Sequence, residues 1–556
     1  MLNKVSLPKY SALIKSFFVQ NSLHHQTIPY LFRSGQNKRC YSSNFSSSEG
    51  NERNESNVSN NVGNDHNTES NVDDVGKEFN VISIDTSALI TETYDKAVVK
   101  DNETPMVKHL KNKIKGAGPI SVSSFMQESL LNPIYGYYYT AKQPISSMSG
   151  ATPGQKVIGR EGDFVTSPEI TSVFSEMIGL WCVSMWEKLG KPKALEIIEL
   201  GPGKGTLMHD LLDSVKRSNS YLLKSFTQSV KQVTLIEASD ALKEVQKEKL
   251  KPFMDTIEFR WENRFEKYTN ITGDIPVLII AHEFFDALPV YHFEYTERGW
   301  LEVLVDIDDS KESPNHFKFV LSPGPTMATT FVSLVEGKKE IGTIREVCAM
   351  GVGYAERMGE LLHNRKGASL IIDYGNDYPM GFTLQGIYQH GFTQSPLDKP
   401  GEADLSTFVD FSSLKKAVEK FKTVRVYGPQ YQSDFLHQLG MDTRFAKLLQ
   451  NPKLSDEQAE AMIQSYERLT HSTQMGHHYK AMCMMNMPSK QPPSGFEMNI
   501  VPSKEETPNI LSKRVSMPTI NPATSPLNSE SIIRKEGETS PIKKKAPVKT
   551  DTSPFI

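Results

Sequence analysis

Residues 194–200, Ala-Leu-Glu-Ile-Ile-Glu-Leu, read as a short buried strand, and Gly201-Pro202-Gly203-Lys204-Gly205 follows it directly. Thr206 and Leu207 then open a helical pattern carried by Leu207, Leu211, Leu212 and Val215. A strand that runs through a glycine turn into a helix belongs to a parallel α/β sheet, whose ligand crevice lies beyond the carboxyl ends of the strands. Glycine has no Cβ, so a ligand can lie against the backbone of the turn. Further strands are expected at 233–236, 276–281, 368–372, 424–427 and 479–483, with helices between them. The run 276–281 is almost wholly apolar, as expected of a strand covered on both faces.

Two details narrow the ligand. Glu199 immediately precedes the turn, and Gly201, Gly203 and Gly205 are evenly spaced, so the G-x-G-x-x-G of dinucleotide folds is absent. E-x-G-x-G-x-G is the pattern of S-adenosylmethionine enzymes: the acid faces the cofactor's amino-acid end, and the glycines let its methionine part pass. Glu237, at the end of 233–236, is placed to accept bonds from the ribose hydroxyls. Each bond to a charged acceptor is worth roughly 1.5–3 kcal/mol. His282 ends the strand 276–281 over the same crevice. The expected cofactor shell is therefore Glu199, Gly201, Gly203, Gly205, Glu237 and His282.

The expected fold is α/β: a seven-stranded class I S-adenosylmethionine-dependent methyltransferase sheet, Rossmann-like, with a late hairpin-like pair. An N-terminal helical segment precedes it, with one helix ending near Gly116 and Gly118 and a second, capped by Ser121 or Ser123, running to about Leu131. Thr166 and Glu169 have capping-box spacing. Residues 219–231 extend the helix that follows the glycine turn, and Ser239 caps the next one. An insert at about 290–340, with a turn at Glu297-Arg298-Gly299, separates strands four and five. A nicotinamide oxidoreductase is the weaker alternative.

Charge marks the ends of the chain. Residues 1–48 carry six basic residues and no acid, interleaved with Leu13, Ile14, Phe17 and Phe18. An acid-free, basic, amphipathic N-terminus reads as a mitochondrial transit peptide. Arg39-Cys40-Tyr41-Ser42 resembles a matrix processing site, which makes 1–41 the transit peptide and the matrix the destination. Residues 42–100 read as a disordered linker, 101–487 as the methyltransferase domain and 488–556, with eleven prolines in 69 residues, as a disordered tail. The formal net charge of −4 argues against a surface built to grip nucleic acid. No apolar run is long enough for a membrane span. Four scattered cysteines suit neither a disulfide scaffold nor a zinc site, and His24-His25 and His477-His478 lack metal-ligand spacing.

A set of motifs then accumulates in order. It comprises Gly136-Tyr137-Tyr138, Gly162-Asp163-Phe164 with Thr166-Ser167-Pro168-Glu169, the turn at 199–205, and Glu283-Phe284-Phe285-Asp286-Ala287-Leu288-Pro289. Asp373-Tyr374-Gly375, Asp404-Leu405 and Val409-Asp410-Phe411 complete it. Across about 105–486 the chain resembles the MidA family, mitochondrial protein arginine methyltransferases needed for assembly of respiratory complex I. The resemblance implies S-adenosyl-L-methionine as cofactor. It also implies symmetric dimethylation of an arginine on the large hydrogenase-like core subunit of the complex I matrix arm. His282 stands where that family usually has Asn, and Asn376 where it usually has Gly. A cofactor-binding assembly chaperone with little catalytic role is the second reading.

An arginine is a planar cationic fork, best held by a carboxylate that accepts two N–H bonds. Glu283 and Asp286, just past a central strand, are the catalytic candidates; Asp163 and Glu169 come after them. Asp373 reads as an orienting or structural acid, and Tyr137, Phe164, Phe284 and Phe285 as aromatic groups near the site. Asn132-Pro133-Ile134-Tyr135 mimics the N-P-P-Y of amino-methylating DNA enzymes but lies on no expected strand. Protein imported into isolated mitochondria is expected to begin at Ser42 when its N-terminus is sequenced. A chain still starting at Met1 contradicts the transit-peptide assignment.

Overall fold

The computed structural model describes residues 103–140, 166–268, 273–310, 313, 315–335, 337, 339–389 and 391–497. The transit peptide, the whole of the linker, the tail beyond 497, Asp163 and Phe164 lie outside these residues.

The main strands of the central sheet are β1 (Leu195–Leu200), β2 (Val230–Ile236), β3 (Glu258–Glu262), β4 (Val277–His282), β5 (Gly367–Asn376), β6 (Arg425–Tyr431) and β7 (Tyr479–Asn486), and the two-residue strand Val409–Asp410 pairs parallel with the end of β5. The main strands lie in the order β3-β2-β1-β4-β5-β7-β6. All run parallel except β7, which pairs antiparallel with both β5 and β6. This is the expected seven-stranded methyltransferase sheet with its late reversed strand. Every residue of β1 and β4 is buried, because helices cover both faces.

Register sets where the polar residues fall. Leu200 pairs with Ile236 on one side and Ala281 on the other, and His282 pairs with Ile372. Gly201, Glu237, Glu283 and Asp373 are each the next residue beyond a paired position or strand end, so they line up along one edge. The opposite end of the sheet carries a closed polar network. Arg365 is fully buried beside Glu196 at 2.7 Å, and the Tyr268 hydroxyl, Gln232 and Thr234 also donate to Glu196.

The N-terminal helices α1 (Pro105–Ala117) and α2 (Val122–Leu131) form as expected, and Ser121 is the cap of the second, accepting from the Ser124 N–H. The capping box at Thr166 does not form: Thr166 makes no side-chain cap bond, and Glu169 instead accepts from the Thr206 hydroxyl at 2.5 Å. Thr171 caps the long helix α3 (Ser172–Lys188), whose apolar residues are buried around most of its circumference, Trp181 among them. Helix α4 (Thr206–Lys216) follows the glycine turn. Residues 219–231 do not extend it; a separate helix, Tyr221–Ser229, leads into β2. Helix α5 (Asp240–Leu250) is capped by Ser239, as expected.

Strand β3 was not legible in the sequence. Its Glu-Phe-Arg-Trp-Glu pattern is that of a half-exposed edge strand, with charges on one side. The insert is an antiparallel sheet of its own, Tyr291–Thr296, Gly299–Ile307, Phe317–Leu321 and Ile344–Val347, so it extends past 340. Ile120–Ser121 from the N-terminal segment pairs with Gly299–Ile307, which ties the helices α1 and α2 to the insert. Helix α6 (Ala349–Arg365) returns the chain to the central sheet. A further three-stranded sheet, Gln385–Tyr388, Gly391–Phe392 and Asp404–Ser406, follows β5.

The boundary at 487 needs correction. Phe496 is fully buried against Phe435, with ring centroids 5.5 Å apart, and Gln430 donates to the Gly495 carbonyl. Residues 488–497 are therefore packed chain and not tail. Burying a phenylalanine of this kind is worth about 3–5 kcal/mol. Truncation at 487 is expected to lower the melting temperature markedly, whereas truncation at 497 leaves it nearly unchanged. Equal thermal stability of the two truncated proteins contradicts this boundary.

Candidate functional site

The aligned strand ends open onto a cavity of about 590 Å³. Glu199, Gly201, Gly203, Glu237, His282 and Glu283 all line it. Gly201, Gly203 and Gly205 have φ of 65°, 53° and 75°, the left-handed region that glycine enters without strain. A Cβ on Gly201 would meet the Phe284 ring at 2.7 Å. Gly205 does not line the cavity. It starts helix α4, and a Cβ there would press on Gln246 at 3.4 Å, so its part is to let α5 approach.

Gln246 is the residue that sequence reasoning missed. Its amide donates to the Gly203 carbonyl at 2.7 Å and to Glu237 Oε2 at 3.1 Å, while the Trp261 indole donates to its oxygen. One side chain thus locks the glycine turn to the acid of the next strand. Its only sequence signal is a place on the inner face of an amphipathic helix, which most glutamines there would share.

The acids differ in what satisfies them. Glu237 accepts the Ser239 N–H at 2.7 Å as well as Gln246. Burial pushes it up to about 7, against the pull of those bonds. Glu199 Oε2 is shut off from solvent and has no partner, and burial pushes its carboxyl up to about 8. A buried carboxyl oxygen without a donor is costly, and an ammonium group would satisfy it. Glu283 Oε1 accepts both the N–H and the hydroxyl of Ser167, each at 3.2 Å. Burial and the nearby Asp286 push Glu283 up to about 8. Its φ of 48° is unusual for a residue with a side chain.

Asp373 explains how that backbone is held. Its Oδ2 accepts the N–H groups of Phe284, Phe285 and Asp286 at 3.2, 2.9 and 3.3 Å. The sequence reading of Asp373 as an orienting acid matches these bonds. His282 is buried, its ring 4.9 Å from that of Phe174, and desolvation takes it down to about 3. Its approach to Glu283 at 3.3 Å is therefore a contact of a neutral ring and not an ion pair.

The remaining candidates separate. Glu169 lines the cavity through its bond from Thr206. Asp286 does not line it. Phe284 lines it and stacks on Tyr354, centroids 5.6 Å apart and planes 13° apart, while Phe285 and Tyr137 are core residues. Asn132 and Pro133, which lie on no strand, line the cavity as part of a turn, with the Ile134 and Tyr135 N–H groups donating to Asn132.

Comparison with known proteins agrees with this geometry. A family model for S-adenosyl-L-methionine-dependent methyltransferases matches residues 177–430. The protein arginine methyltransferase NDUFAF7, mitochondrial, of Danio rerio is 36% identical over 396 residues, 68% of this chain and 87% of that one. Its human counterpart is 33% identical over 396 residues, 69% and 83% of the two chains. The chain belongs to the MidA family of methyltransferases. A Burkholderia thailandensis protein whose crystal structure holds S-adenosyl-homocysteine has the same fold, with a TM-score of 0.54 at 21% identity over 70% of this chain and 95% of that one.

The family's cofactor is S-adenosylmethionine, and the residues present suit it. The glycine turn leaves room against the backbone, the orphaned Glu199 oxygen fits an α-ammonium group, and Glu237 keeps acceptor capacity for hydroxyls. The ammonium needs Glu199 ionised, and a carboxyl at about 8 is mostly protonated at pH 6. Cofactor affinity is therefore expected to rise with pH from 6 to 8, by up to about ten-fold per unit, with proton release on binding. Calorimetry in buffers of different ionisation enthalpy checks this, and Glu199→Gln should flatten much of the slope. A pH-independent affinity in the parent protein contradicts the assignment.

Proposed function

We propose that this chain is a mitochondrial protein arginine N-methyltransferase. It makes symmetric dimethylarginine on the large hydrogenase-like core subunit of the complex I matrix arm, in the mitochondrial matrix, during assembly of that complex. The observation that carries the reading is the pair of buried acids, Glu283 and Asp286, on a loop pinned by Asp373 at the end of the cofactor cavity. The names of the relatives support the arginine and the mitochondrion. The symmetric product and the complex I subunit follow from the family resemblance.

The bound cofactor supplies an electrophilic methyl group for in-line displacement. The chain's own residues do the rest. Glu199 and the turn at Gly201 and Gly203 hold the amino-acid end, Glu237 takes the ribose, and His282 closes the wall as a neutral ring. Glu283 receives the guanidinium. Empty and desolvated, its carboxyl is held protonated; an arriving cation favours the carboxylate. That charge steadies the guanidinium and concentrates lone-pair density on the nitrogen that attacks. Ser167 fixes the direction of the carboxylate.

Glu283→Gln keeps the volume and removes the charge. The rate of arginine methylation, followed by mass spectrometry of the partner subunit, is expected to fall about 100-fold or more. Cofactor affinity should change little. Methylation at the parental rate makes Glu283 a loop acid only, and a collapse of cofactor binding moves it to the cofactor shell. An unmodified partner arginine in the presence of the parent protein and cofactor favours the chaperone reading instead.

A further inference from the structure

Asp286 is the acid that the cofactor cavity does not use. Its Oδ1 is closed off from solvent and has no hydrogen-bond partner. The groups around it are tyrosines drawn from three distant parts of the chain. Tyr374 follows Asp373 on β5, and Asp373 accepts the N–H groups of both Tyr374 and Asp286, which sets the two side by side. The β5–β7 register sets Tyr374 opposite Tyr479, with ring centroids 5.6 Å apart and planes at 57°. Tyr479 feels the charges of Glu283, Asp286 and Asp373, and Tyr138 that of Asp286. Tyr138 donates to Asp404 at 3.2 Å and lines the cofactor cavity, so it is the wall that the cavity and the Asp286 cluster share. All three tyrosines are half-buried, and Tyr374 also packs edge-on against Phe408, with ring centroids 5.1 Å apart.

We propose that Tyr138, Tyr374 and Tyr479 form the slot through which the substrate guanidinium reaches Glu283, with the unpartnered oxygen of Asp286 beside it. The proposal rests on the arginine reading above and names the residues that make the site specific for it. A guanidinium is planar and weakly hydrated, so it gains from aromatic faces and from a carboxylate fork together. A lysine ammonium is compact and strongly hydrated, and it gains less from the same walls. The slot therefore discriminates arginine from lysine before any methyl group moves. From the sequence, Tyr137, Phe164, Phe284 and Phe285 read as core residues first and channel walls second. The structure puts Tyr137 and Phe285 in the core and stacks Phe284 on Tyr354.

The test uses the full chain saturated with S-adenosylhomocysteine and titrated by NMR with N-acetyl-arginine amide, then with N-acetyl-lysine amide. The parent protein should bind the arginine probe and bind the lysine probe at least several-fold more weakly. Tyr479→Leu and Tyr374→Leu should each weaken the arginine probe by about ten-fold. Tyr479→Phe, which keeps the aromatic face, should stay within about three-fold of the parent, and S-adenosylhomocysteine affinity should hold in all three. Parental arginine binding in both leucine variants overturns the slot. So does a Phe variant as weak as the Leu variant, or a loss of S-adenosylhomocysteine affinity in step with the probe, since either marks the rings as packing. If the parent protein prefers the lysine probe or binds neither, the arginine reading itself fails along with the slot.

Discussion

One carboxylate organises the business end of this molecule. Asp373, fully buried at the end of β5, gathers three successive backbone N–H groups from the loop after β4 and a fourth from Tyr374. Burial, with Asp286 and Glu283 nearby, pushes this carboxyl well above its usual range, and the N–H donors that converge on it pull the other way. The loop has no freedom left: Glu283 must take a left-handed φ, Phe284 must turn onto the glycine turn and Tyr354, and Phe285 must enter the core. Without that anchor, the aligned strand ends would still make a crevice lined by Glu199 and Glu237, but Glu283 would not be held at its end.

The same burial tunes the site. Glu199, Glu237 and Glu283 are all buried in the cavity wall, and burial pushes all three up toward neutrality. Their donors differ: Glu237 accepts from the Ser239 N–H and the Gln246 amide, Glu283 from both donors of Ser167, and Glu199 Oε2 from none. The difference suits a division of labour between the cofactor's two ends: Glu237, already committed to the protein, can take hydroxyls, while the orphaned oxygen of Glu199 awaits an ammonium. A cavity of acids that ionise when cations arrive binds positively charged reactants without carrying a large unpaired charge when empty.

Legibility in the sequence followed the strength of local rules. The strand, glycine turn and helix around 201–205 declared themselves because a ligand-bearing turn needs glycine and the flanking periodicities differ. Ser121 and Ser239 were readable as caps because a cap is a local bond. What failed was non-local. The capping box at Thr166 lost to a bond from Thr206, a residue 37 positions later on another helix. Strand β3 is a charged edge strand that only its neighbour β2 identifies. The packing of Phe496 lay inside proline-rich sequence, where composition argues for disorder and a single buried ring argues against it. Gln246 had no motif at all, and the motifs that hold Tyr138 and Tyr374 gave no sign that these residues share a place, because they come from separate segments and meet only in three dimensions.

The central claim is that cofactor and guanidinium meet at the joined ends of β1, β2 and β4, with Glu199, Glu237 and Glu283 dividing the contacts. A crystal structure grown with S-adenosylhomocysteine tests it most directly. The account predicts the homocysteine amino group on Glu199, the ribose hydroxyls on Glu237 and the sulfur turned toward Glu283. A ligand bound with its nucleoside toward Glu283, or seated away from the glycine turn, would contradict it.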